Sequence, residues 1–486
     1  MTRKLFILLI LNLGFQYATA QNITEAVYDS YGKYKETSIN NRRIKHHDLQ
    51  PLINSFDANP KFIVKKVGES IEGRDLKLIS LGTGKTNIFL WSQMHGDEPT
   101  ATQAIFDLLN FFNSNDFKKE KTAILDSLTL HFLPMLNPDG AEVFKRRNAL
   151  GIDINRDALR LQSPEGQTLK RVRDSLDASF GFNLHDQSTY YNAELTEKPA
   201  TISYLATAYN YEKDINEVRA NAMKVIVFMN DIIQKYAPGQ VGRYNDSFEP
   251  RAFGDNIAKW GTSLILIESG GYPNDVEKQE IRKLNYVSIL SALYTIATKS
   301  YETIPIEDYE KIPRNDRNLF DLKIENLSYQ IADKDYTIDL GINRNEIDNK
   351  NHNAFYYKSE IVDQGDLSTY YGYETFDAQG YRLVPPKLAM NKTAVFKSTE
   401  LLNLLQEGIA YLKSPLPKQG FAIEKPIHLV DSNFKLKKFI LQPGINPTFF
   451  LEKDGQLTHA LINGFLLDLN KSITNQNFSN ALIIRN

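Results

Sequence analysis

The residues that could do chemistry begin with His95 and Glu98, three positions apart at the end of an apolar run. That run, Ile88 to Trp91, predicts a buried strand, and an amphipathic helix is expected to begin near Pro99. An imidazole and a carboxylate at this spacing can both reach one metal ion if the backbone between them turns, and Gly96 permits the turn. The pair alone is a weak signal, so the hypothesis depends on a third ligand, an acid/base group and a substrate anchor.

A third ligand and an acid/base group occur further along the chain. His185 follows the short apolar segment Ser179 to Leu184, and Glu268 ends the continuous apolar run Leu264 to Ile267. Two histidines and a glutamate leave a fourth position on zinc for water, which is typical of hydrolytic sites. A glutamate at the end of a buried strand is costly unless it is paired or functional, and it could move a proton during hydrolysis. The alternatives are a structural histidine and a carboxylate that faces solvent.

A candidate anchor lies between these residues, in a polar segment from Arg146 to Asp157. The segment contains too few apolar residues for a core element. An arginine can bind a carboxylate through two parallel hydrogen bonds, and an adjacent asparagine can donate another. The arginines could instead simply be solvated.

Composition limits the classes of protein. The chain has 486 residues, a net charge of −2 and no cysteine. The length predicts two or three domains, the charge argues against nucleic acid as a partner, and the lack of cysteine excludes disulfides and thiolate zinc sites. Residues 1–20 have the pattern of a signal peptide, with cleavage expected after Ala20. The sequence therefore predicts a secreted or periplasmic protein without stable membrane insertion after signal removal.

Strand and helix patterns alternate to about Lys299, which predicts an α/β catalytic domain over residues 21–300. Residues 301–317 contain Ile-Pro pairs and are predicted to be a linker. Residues 318–486 are predicted to form a β-rich accessory domain, in which only Ser398 to Leu412 has a helical period. Two strands are expected around the turn at Asp454-Gly455.

The segment from about Leu49 to Lys299 resembles the M14-type zinc carboxypeptidases, the carboxypeptidase A-like metallopeptidases. The matching elements stand in the family order, and six in order are specific although each is modest alone. They are Gly68-x-Ser70-x-x-Gly73-Arg74, His95-x-x-Glu98, Asn137-Pro138-Asp139-Gly140, Gly151-x-Asp153-x-Asn155-Arg156, His185, and Glu268-x-Gly270-Gly271. The resemblance implies an α/β fold with a mixed eight-stranded sheet flanked by helices.

The resemblance also implies a metal ion and a base. His95, Glu98 and His185 would bind one Zn²⁺ ion per chain. Glu268 would act as general base and then as general acid.

Further roles concern the substrate. Arg146, five residues before Gly151, would polarise the scissile carbonyl and stabilise its oxyanion, with Arg147 as the alternative. Asn155 and Arg156 would hold the terminal carboxylate of a peptide.

The chain departs from the family pattern around the specificity pocket. Tyr244 is near the position of a tyrosine that closes over the substrate, but its alignment is open. Position 97 is Asp, where the digestive members have arginine. Asp255 would favour a basic terminal residue and Arg251 an acidic one, and an ion pair between them would cancel both preferences.

The sequence thus predicts an exported zinc metallocarboxypeptidase that hydrolyses the C-terminal amide bond of peptides with a free carboxylate, cell-wall stem peptides among the candidates. The alternatives are an amidase or deacylase with the same zinc core, and a non-catalytic module that binds peptide or glycan. Gln21 to Gln50 show no obvious inhibitory propeptide, although they could serve as one. The sequence makes no prediction of oligomeric state.

Overall fold

The computed structural model describes residues 24–390 and 397–485. The predicted signal peptide, residues 1–20, lies outside them. The chain forms two compact units, one reaching Arg317 and the other beginning at Asn318. Among the described residues, no helix combines the length and apolar character needed to cross a membrane.

The first unit alternates strands and helices. Its strands are β1 (Ile63–Glu69), β2 (Asp75–Leu81), β3 (Thr86–Ser92), β4 (Leu128–Leu133), β5 (Phe180–Asp186), β6 (Asn192–Ala193), β7 (Ile202–Ala206), β8 (Val241–Arg243), β9 (Ser263–Ser269) and β10 (Asn315–Asp316). Its helices are α1 (His46–Asp57), α2 (Thr100–Asn113), α3 (Lys118–Ser127), α4 (Pro138–Glu142), α5 (Pro164–Leu176), α6 (Glu217–Ile233), α7 (Phe253–Lys259) and α8 (Gln279–Thr298). Residues 24–30 are also helical, and 3₁₀ turns cover Tyr31–Lys33, Ile154–Arg156, Ser300–Thr303 and Ile306–Lys311.

A mixed eight-stranded sheet organises this unit, in the order β1-β2-β4-β3-β5-β9-β7-β8. This confirms the predicted fold class. The central strands β4, β3, β5 and β9 run parallel to one another. Strands β5 and β9 are buried almost throughout, which explains their continuous apolar runs. The carboxyl ends of these parallel strands lie along one edge of the sheet, where α/β folds place ligands.

Helices cover both faces of the sheet. Side chains of α1, α2, α6 and α8 pack with one face in the larger core, and those of α5 and α7 pack with the other face in a smaller core. The 20-residue helix α8 is the longest of these helices, and most of its residues are buried.

The segment 24–45 is part of the larger core. The fully buried Arg282 of α8 forms an ion pair with Asp107 of α2. The same guanidinium donates hydrogen bonds to the backbone carbonyls of Glu36 and Ile39, both at 2.8 Å. The Tyr31 hydroxyl donates to Asp107 Oδ2 at 2.9 Å. The segment is therefore fixed by a buried charge as well as by apolar packing.

The structure corrects the predicted linker at 301–317. The buried Tyr309 accepts a hydrogen bond from the Ala206 N–H through its hydroxyl oxygen at 3.0 Å. Strand β10 pairs with β6, so the end of this segment is also held by backbone hydrogen bonds. The Ile-Pro pairs suggested a spacer, but the isoleucines and Tyr309 join the larger core of the first unit.

The second unit is rich in strands, as predicted. They are β11 (Leu319–Ile331), β12 (Lys334–Asp348), β13 (Phe355–Gly365), β14 (Tyr371–Asp377), β15 (Arg382–Val384), β16 (Lys387–Met390), β17 (Ile409–Lys413), β18 (Ala422–Ile423), β19 (His428–Val430), β20 (Phe449–Lys453), β21 (Gln456–Ile462), β22 (Phe465–Asp468) and β23 (Ala481–Ile484). One sheet has the order β13-β12-β11-β15-β20-β21-β22 with β14 beside β11, and the other has the order β16-β17-β19-β23-β18.

The predicted helix Ser398 to Leu412 is only partly correct. Helix α9 spans Ser398–Gln406, and β17 follows at Ile409. Gly408 lies between them with φ of 83°, a left-handed conformation that ends helices and that glycine adopts without strain.

Candidate metal centre and substrate site

Three predicted metal ligands converge at the carboxyl ends of the central strands. His95 and Glu98 lie in the turn between β3 and α2, and His185 lies in β5. His95 Nδ1 is 2.8 Å from Glu98 Oε1, and His185 Nδ1 is 2.7 Å from Glu98 Oε2. All three residues are buried, and one ligand atom from each lies within 4.8 Å of the others. The structure therefore brings together residues that are separated by 90 positions in the chain.

The turn that carries His95 depends on a close backbone contact. A Cβ atom at Gly96 would lie 2.1 Å from the backbone carbon of Gly140, at the start of α4. Asn137 caps this helix by accepting a hydrogen bond from the Gly140 N–H. The Asn-Pro-Asp-Gly motif therefore supports the metal-ligand turn from behind, and only glycine fits at position 96.

The donor set fits a zinc ion. The Nδ1 atoms of His95 and His185 are 3.2 Å apart and both face the Glu98 carboxylate. Asp153 Oδ1 lies 3.2 Å from His95 Nε2, so this carboxylate accepts the Nε2 proton and leaves the Nδ1 lone pair directed at the cluster. Two imidazole nitrogens and one carboxylate are a common set for zinc with an open fourth position.

The electrostatics of the cluster also favour a cation. The Glu98 carboxyl is buried, but the two histidines hold its pKa well below the ordinary value. Burial alone would lower the pKa of His95, yet Glu98 and Asp153 overcome this and raise it to about 9. The cluster thus attracts positive charge, and a bound metal would compete with a proton for the same site.

Arg146 reaches the cluster and Arg147 does not. Arg146 Nη1 donates to His95 Nδ1 at 3.1 Å, and its Nε donates to Asp153 Oδ2 at 3.0 Å. Arg147 instead donates to the carbonyl of Gly151 at 2.9 Å and is exposed there. Of the two arginines predicted as alternatives, Arg146 is therefore the one that lies beside the cluster.

The predicted anchor residues lie in a short 3₁₀ turn beside α7. Asp153 caps this turn by accepting from the Asn155 N–H. Asn155 Oδ1 accepts a hydrogen bond from the Phe253 N–H at 3.0 Å, so the amide nitrogen of the side chain can turn toward a ligand. Arg156 Nε lies 3.5 Å from Glu249 Oε2, with 36% of the side chain exposed.

Arg251 and Asp255 do not form the ion pair considered from the sequence. Arg251 pairs with both oxygens of Glu249, at 3.1 and 3.0 Å, and 58% of its side chain is exposed. Asp255 Oδ1 accepts from the Glu249 N–H at 2.9 Å, in the first turn of α7. Burial raises the pKa of Asp255 to about 6. The contacts of Asp255 are thus those of a residue that supports the loop before α7.

Glu268 and Tyr244 lie beside the metal cluster. Glu268 of β9 is in register with His185 of β5 and is buried. Burial and the neighbouring Glu98 raise its pKa well above the ordinary value. Tyr244 follows β8 and packs edge-on against Tyr191 at 6.1 Å. Burial, followed by the charge of Glu268, raises the pKa of Tyr244.

Several residues that support the site were missed from the sequence. Asp153 was inside a recognised motif and could have been identified as the partner of a histidine ligand. Lys278 gives no local signal, yet its buried Nζ donates to Asp186 Oδ2 at 3.2 Å and to the Ser269 carbonyl at 2.9 Å. It therefore ties together the ends of β5 and β9, the strands that carry His185 and Glu268.

Asn315 of β10 is a second supporting residue that was missed. Its Nδ2 donates to Gln187 Oε1 at 2.7 Å, and its Oδ1 accepts from Ser203 Oγ at 2.9 Å. Gln187 follows His185 by two residues, and Ser203 is in register with Glu268. Asn315 thus reaches the strand ends of the site from a distant part of the sequence.

Comparisons with known proteins agree with this geometry. Residues 52–193 match the sequence model of the zinc carboxypeptidase family. The chain is 35% identical over 120 residues to carboxypeptidase SOL1 of Arabidopsis thaliana, covering 23% of this chain and 24% of that protein. It is 33% identical over 115 residues to carboxypeptidase E of Caenorhabditis elegans, covering 19% and 24%. The chain thus spans about a quarter of the length of these curated relatives.

Solved structures give more distant similarities. A metallo-carboxypeptidase from Burkholderia cenocepacia aligns with a TM-score of 0.43 and 17% identity, over 52% of this chain and 69% of that chain. Thrombin activatable fibrinolysis inhibitor aligns with a TM-score of 0.44 and 15% identity, over 56% and 80%. Through the family match and the curated relatives, the chain is identified as carrying an M14-type zinc carboxypeptidase domain, matched at residues 52–193.

Proposed function

We propose that the protein is an exported zinc metallocarboxypeptidase that removes the C-terminal residue of peptides and holds one zinc ion per chain. Export is supported by the signal-peptide pattern of residues 1–20. The observation that carries the activity is the position of Glu268, Arg146 and the Asn155–Arg156 pair around one cluster of metal ligands. A carboxylate base, a cationic donor and a carboxylate anchor in one site match the needs of C-terminal amide hydrolysis.

Zinc, held by His95, Glu98 and His185, would supply Lewis-acid activation of water and of the scissile carbonyl. Glu268 then takes a proton from the attacking water and delivers it to the leaving amine. Its raised pKa suits both steps, because the buried carboxylate holds the proton more firmly than an exposed one. Among the residues that the structure describes, no side chain forms a hydrogen bond with the Glu268 carboxylate. Its oxygens are therefore available for this proton transfer.

Arg146 donates to the carbonyl oxygen as negative charge develops there. Its guanidinium is fixed by Asp153, so little reorganisation is needed during the reaction. About two-fifths of the side chain, 42%, is exposed, so a substrate can reach it.

Asn155 and Arg156 bind the terminal carboxylate of the peptide. The Arg156–Glu249 distance of 3.5 Å is long for a charge-assisted hydrogen bond, so a substrate carboxylate can replace Glu249 as the closer partner. A peptide with an amidated C-terminus would lose this interaction.

The test is mass spectrometry of a mixed peptide pool incubated with zinc-loaded protein. The pool contains peptides with free and amidated C-termini and cell-wall stem peptides. We expect single C-terminal losses from the free peptides, abolished in Glu268→Gln and retained in Glu302→Gln, a matched exposed glutamate.

Other outcomes distinguish the alternatives. Cleavage of amidated or acylated substrates in preference to free peptides would indicate an amidase or deacylase. Zinc and peptide binding without any cleavage would indicate a binding module and would refute the proposed activity.

A further inference from the structure

Asn183 lies in β5 two residues before His185, so both side chains project from the same face of the sheet. Asn183 is 1% exposed. Neither its amide nitrogen nor its amide oxygen has a hydrogen-bond partner among the described residues. Buried amides are nearly always paired, because an unpaired group retains the full cost of leaving water. An unpaired amide two residues before a candidate metal ligand therefore indicates that its hydrogen-bond partner belongs to a bound ligand.

Two leucines beside Asn183 differ in exposure from the residues on the opposite face of the sheet. Asn183 is in register with Leu266 of β9, which is in register with Leu205 of β7. These leucines are 6% and 5% exposed, whereas Ile265 and Ile267, which point to the opposite face, are fully buried. On β9 and β7, the face that carries these leucines therefore keeps a small residual exposure, while Trp91 closes the row on the β3 side of Asn183.

Helix α7 places a glycine opposite the amide. A Cβ atom at Gly254 would lie 3.4 Å from Asn183 Nδ2 and 3.5 Å from the methyl group of Thr207. Because residue 254 has no side chain, space for at least a methyl group is left beside the amide, and Leu264 Cδ2 lies 3.6 Å from the same point. We name Asn183, Leu205, Thr207, Gly254 and Leu266 the Asn183 pocket.

The Asn183 pocket adjoins both ends of the proposed substrate site. Phe253, which precedes Gly254, donates its N–H to the anchor residue Asn155. A terminal residue with its carboxylate at Asn155 and its carbonyl beside His185 would have the space between α7 and the sheet available for its side chain. Asn183 and His185 are two residues apart in β5, a spacing of about 6.6 Å. A long substrate side chain can extend over that distance.

The pairing needs of Asn183 define the chemistry of that side chain. A carboxamide can accept from Nδ2 and donate to Oδ1, and so satisfies both atoms. An ammonium group satisfies only the oxygen, a carboxylate satisfies only the nitrogen, and an apolar group satisfies neither. Nearby charges give no opposing preference, because Arg251 pairs with Glu249 and Asp255 is directed at the Glu249 N–H.

We propose that Asn183 is a specificity-determining residue and that the Asn183 pocket selects a C-terminal residue with a carboxamide side chain, glutamine above all. This inference rests on the proposed carboxypeptidase function and names its substrate class.

The test compares kcat/KM for peptides that differ only in a C-terminal Gln, Met, Leu, Lys or Glu, using the zinc-loaded full chain. Gln and Met have nearly the same shape, so their ratio isolates hydrogen bonding. We expect a Gln preference on the order of 100-fold, since two hydrogen bonds contribute up to about tenfold each.

Two substitutions test the residue itself. Asn183→Leu should reduce the Gln to Met ratio to about one or below, because both partners of the carboxamide are lost. Asn183→Asp should shift the preference toward Lys. Asn87→Leu, at the far end of neighbouring β3, should leave the ratio unchanged.

The outcomes separate this inference from the proposed function. Cleavage of every peptide, with Met or Leu equal to Gln in the wild type, would overturn the role of Asn183 and leave the carboxypeptidase activity standing. Cleavage of no peptide would overturn the proposed function first. If Asn183→Leu does not fold, the wild-type Gln to Met ratio still decides, because it needs no variant.

Discussion

Asp153 Oδ1 lies 3.2 Å from His95 Nε2, so it can accept the Nε2 proton and leave Nδ1 as the nitrogen that faces the candidate metal ligands. Loss of this carboxylate should weaken zinc binding more than it affects folding. We expect Asp153→Asn to raise the zinc dissociation constant by about 10- to 100-fold, the usual cost of removing the partner of a metal-binding histidine. Competition with a chromogenic chelator measures it. Asp174→Asn, on the surface of α5, is the control, and equal affinity in both variants would contradict the role of Asp153.

The neighbouring arginines 146 and 147 provide a matched pair. Arg146→Ala should reduce kcat by about 100- to 1000-fold with a small change in KM, because its guanidinium is aimed at charge that develops in the transition state. Arg147→Ala should stay within about twofold of wild type, since it contacts only a local carbonyl. Steady-state kinetics on one peptide suffices. A larger loss in Arg147→Ala would reverse the assignment.

Asn315 should matter for stability although it lies outside the segment first predicted to be catalytic. Asn315→Ala leaves Gln187 Oε1 without its donor and the hydroxyl proton of the fully buried Ser203 without its acceptor, although Gln187 Nε2 still donates to Ser203 Oγ. The free energy of unfolding of the first unit should fall by about 1–3 kcal/mol, the cost of unpaired buried polar groups. Urea denaturation followed by tryptophan fluorescence reports on it, because both tryptophans, Trp91 and Trp260, lie in this unit.

A control for Asn315 is available in the same segment. Lys311 is 76% exposed and pairs only with the nearby Asp308. Lys311→Ala should change stability by less than about 1 kcal/mol, as is usual for exposed ion pairs. Similar losses in both variants would show that Asn315 has no special role.

His428 should make the second unit sensitive to acid. Burial lowers its pKa to about 3, below the ordinary value of about 6.5. Between these values the unfolded chain binds a proton that the folded chain does not, so stability is lost as the pH falls from about 6.5 toward 3. The slope approaches about 1.4 kcal/mol per pH unit.

Thermal unfolding of the full chain at pH 7 and pH 5 tests this effect. His428→Gln should show a smaller loss between the two pH values than wild type, whatever its stability at pH 7. His47→Gln, at an exposed histidine, should keep the wild-type loss. An unchanged pH dependence in His428→Gln would contradict the prediction.

Local patterns in the sequence predicted the central sheet well, and the three residues predicted to bind metal do lie together in the structure. The ligands and Glu268 stand at the ends of apolar runs, and parallel strands bring their carboxyl ends together. The mixed sheet and the β-rich second unit were confirmed for the same reason, because burial leaves a readable pattern in a strand. The ligand roles themselves stay predictions until metal binding is measured.

Contacts between residues that are far apart in the sequence could not be predicted from local patterns. Asn315 meets Gln187 across 128 positions, and no composition or spacing near either residue indicates the pairing. Arg251 was considered with Asp255, but the nearer Glu249 takes its guanidinium. Only the folded backbone decides which of several acidic residues an arginine meets.

The burial of residues 24–45 bears on how the enzyme would become active. A removable inhibitory segment must leave without disturbing the core, yet this one supplies the carbonyls that satisfy Arg282 and packs Tyr31 and Tyr34 between helices. Removal of this segment would leave the buried Arg282–Asp107 ion pair without these hydrogen-bond partners. Residues 24–45 therefore behave as part of the catalytic unit, and their loss would be felt as a loss of stability in α2 and α8.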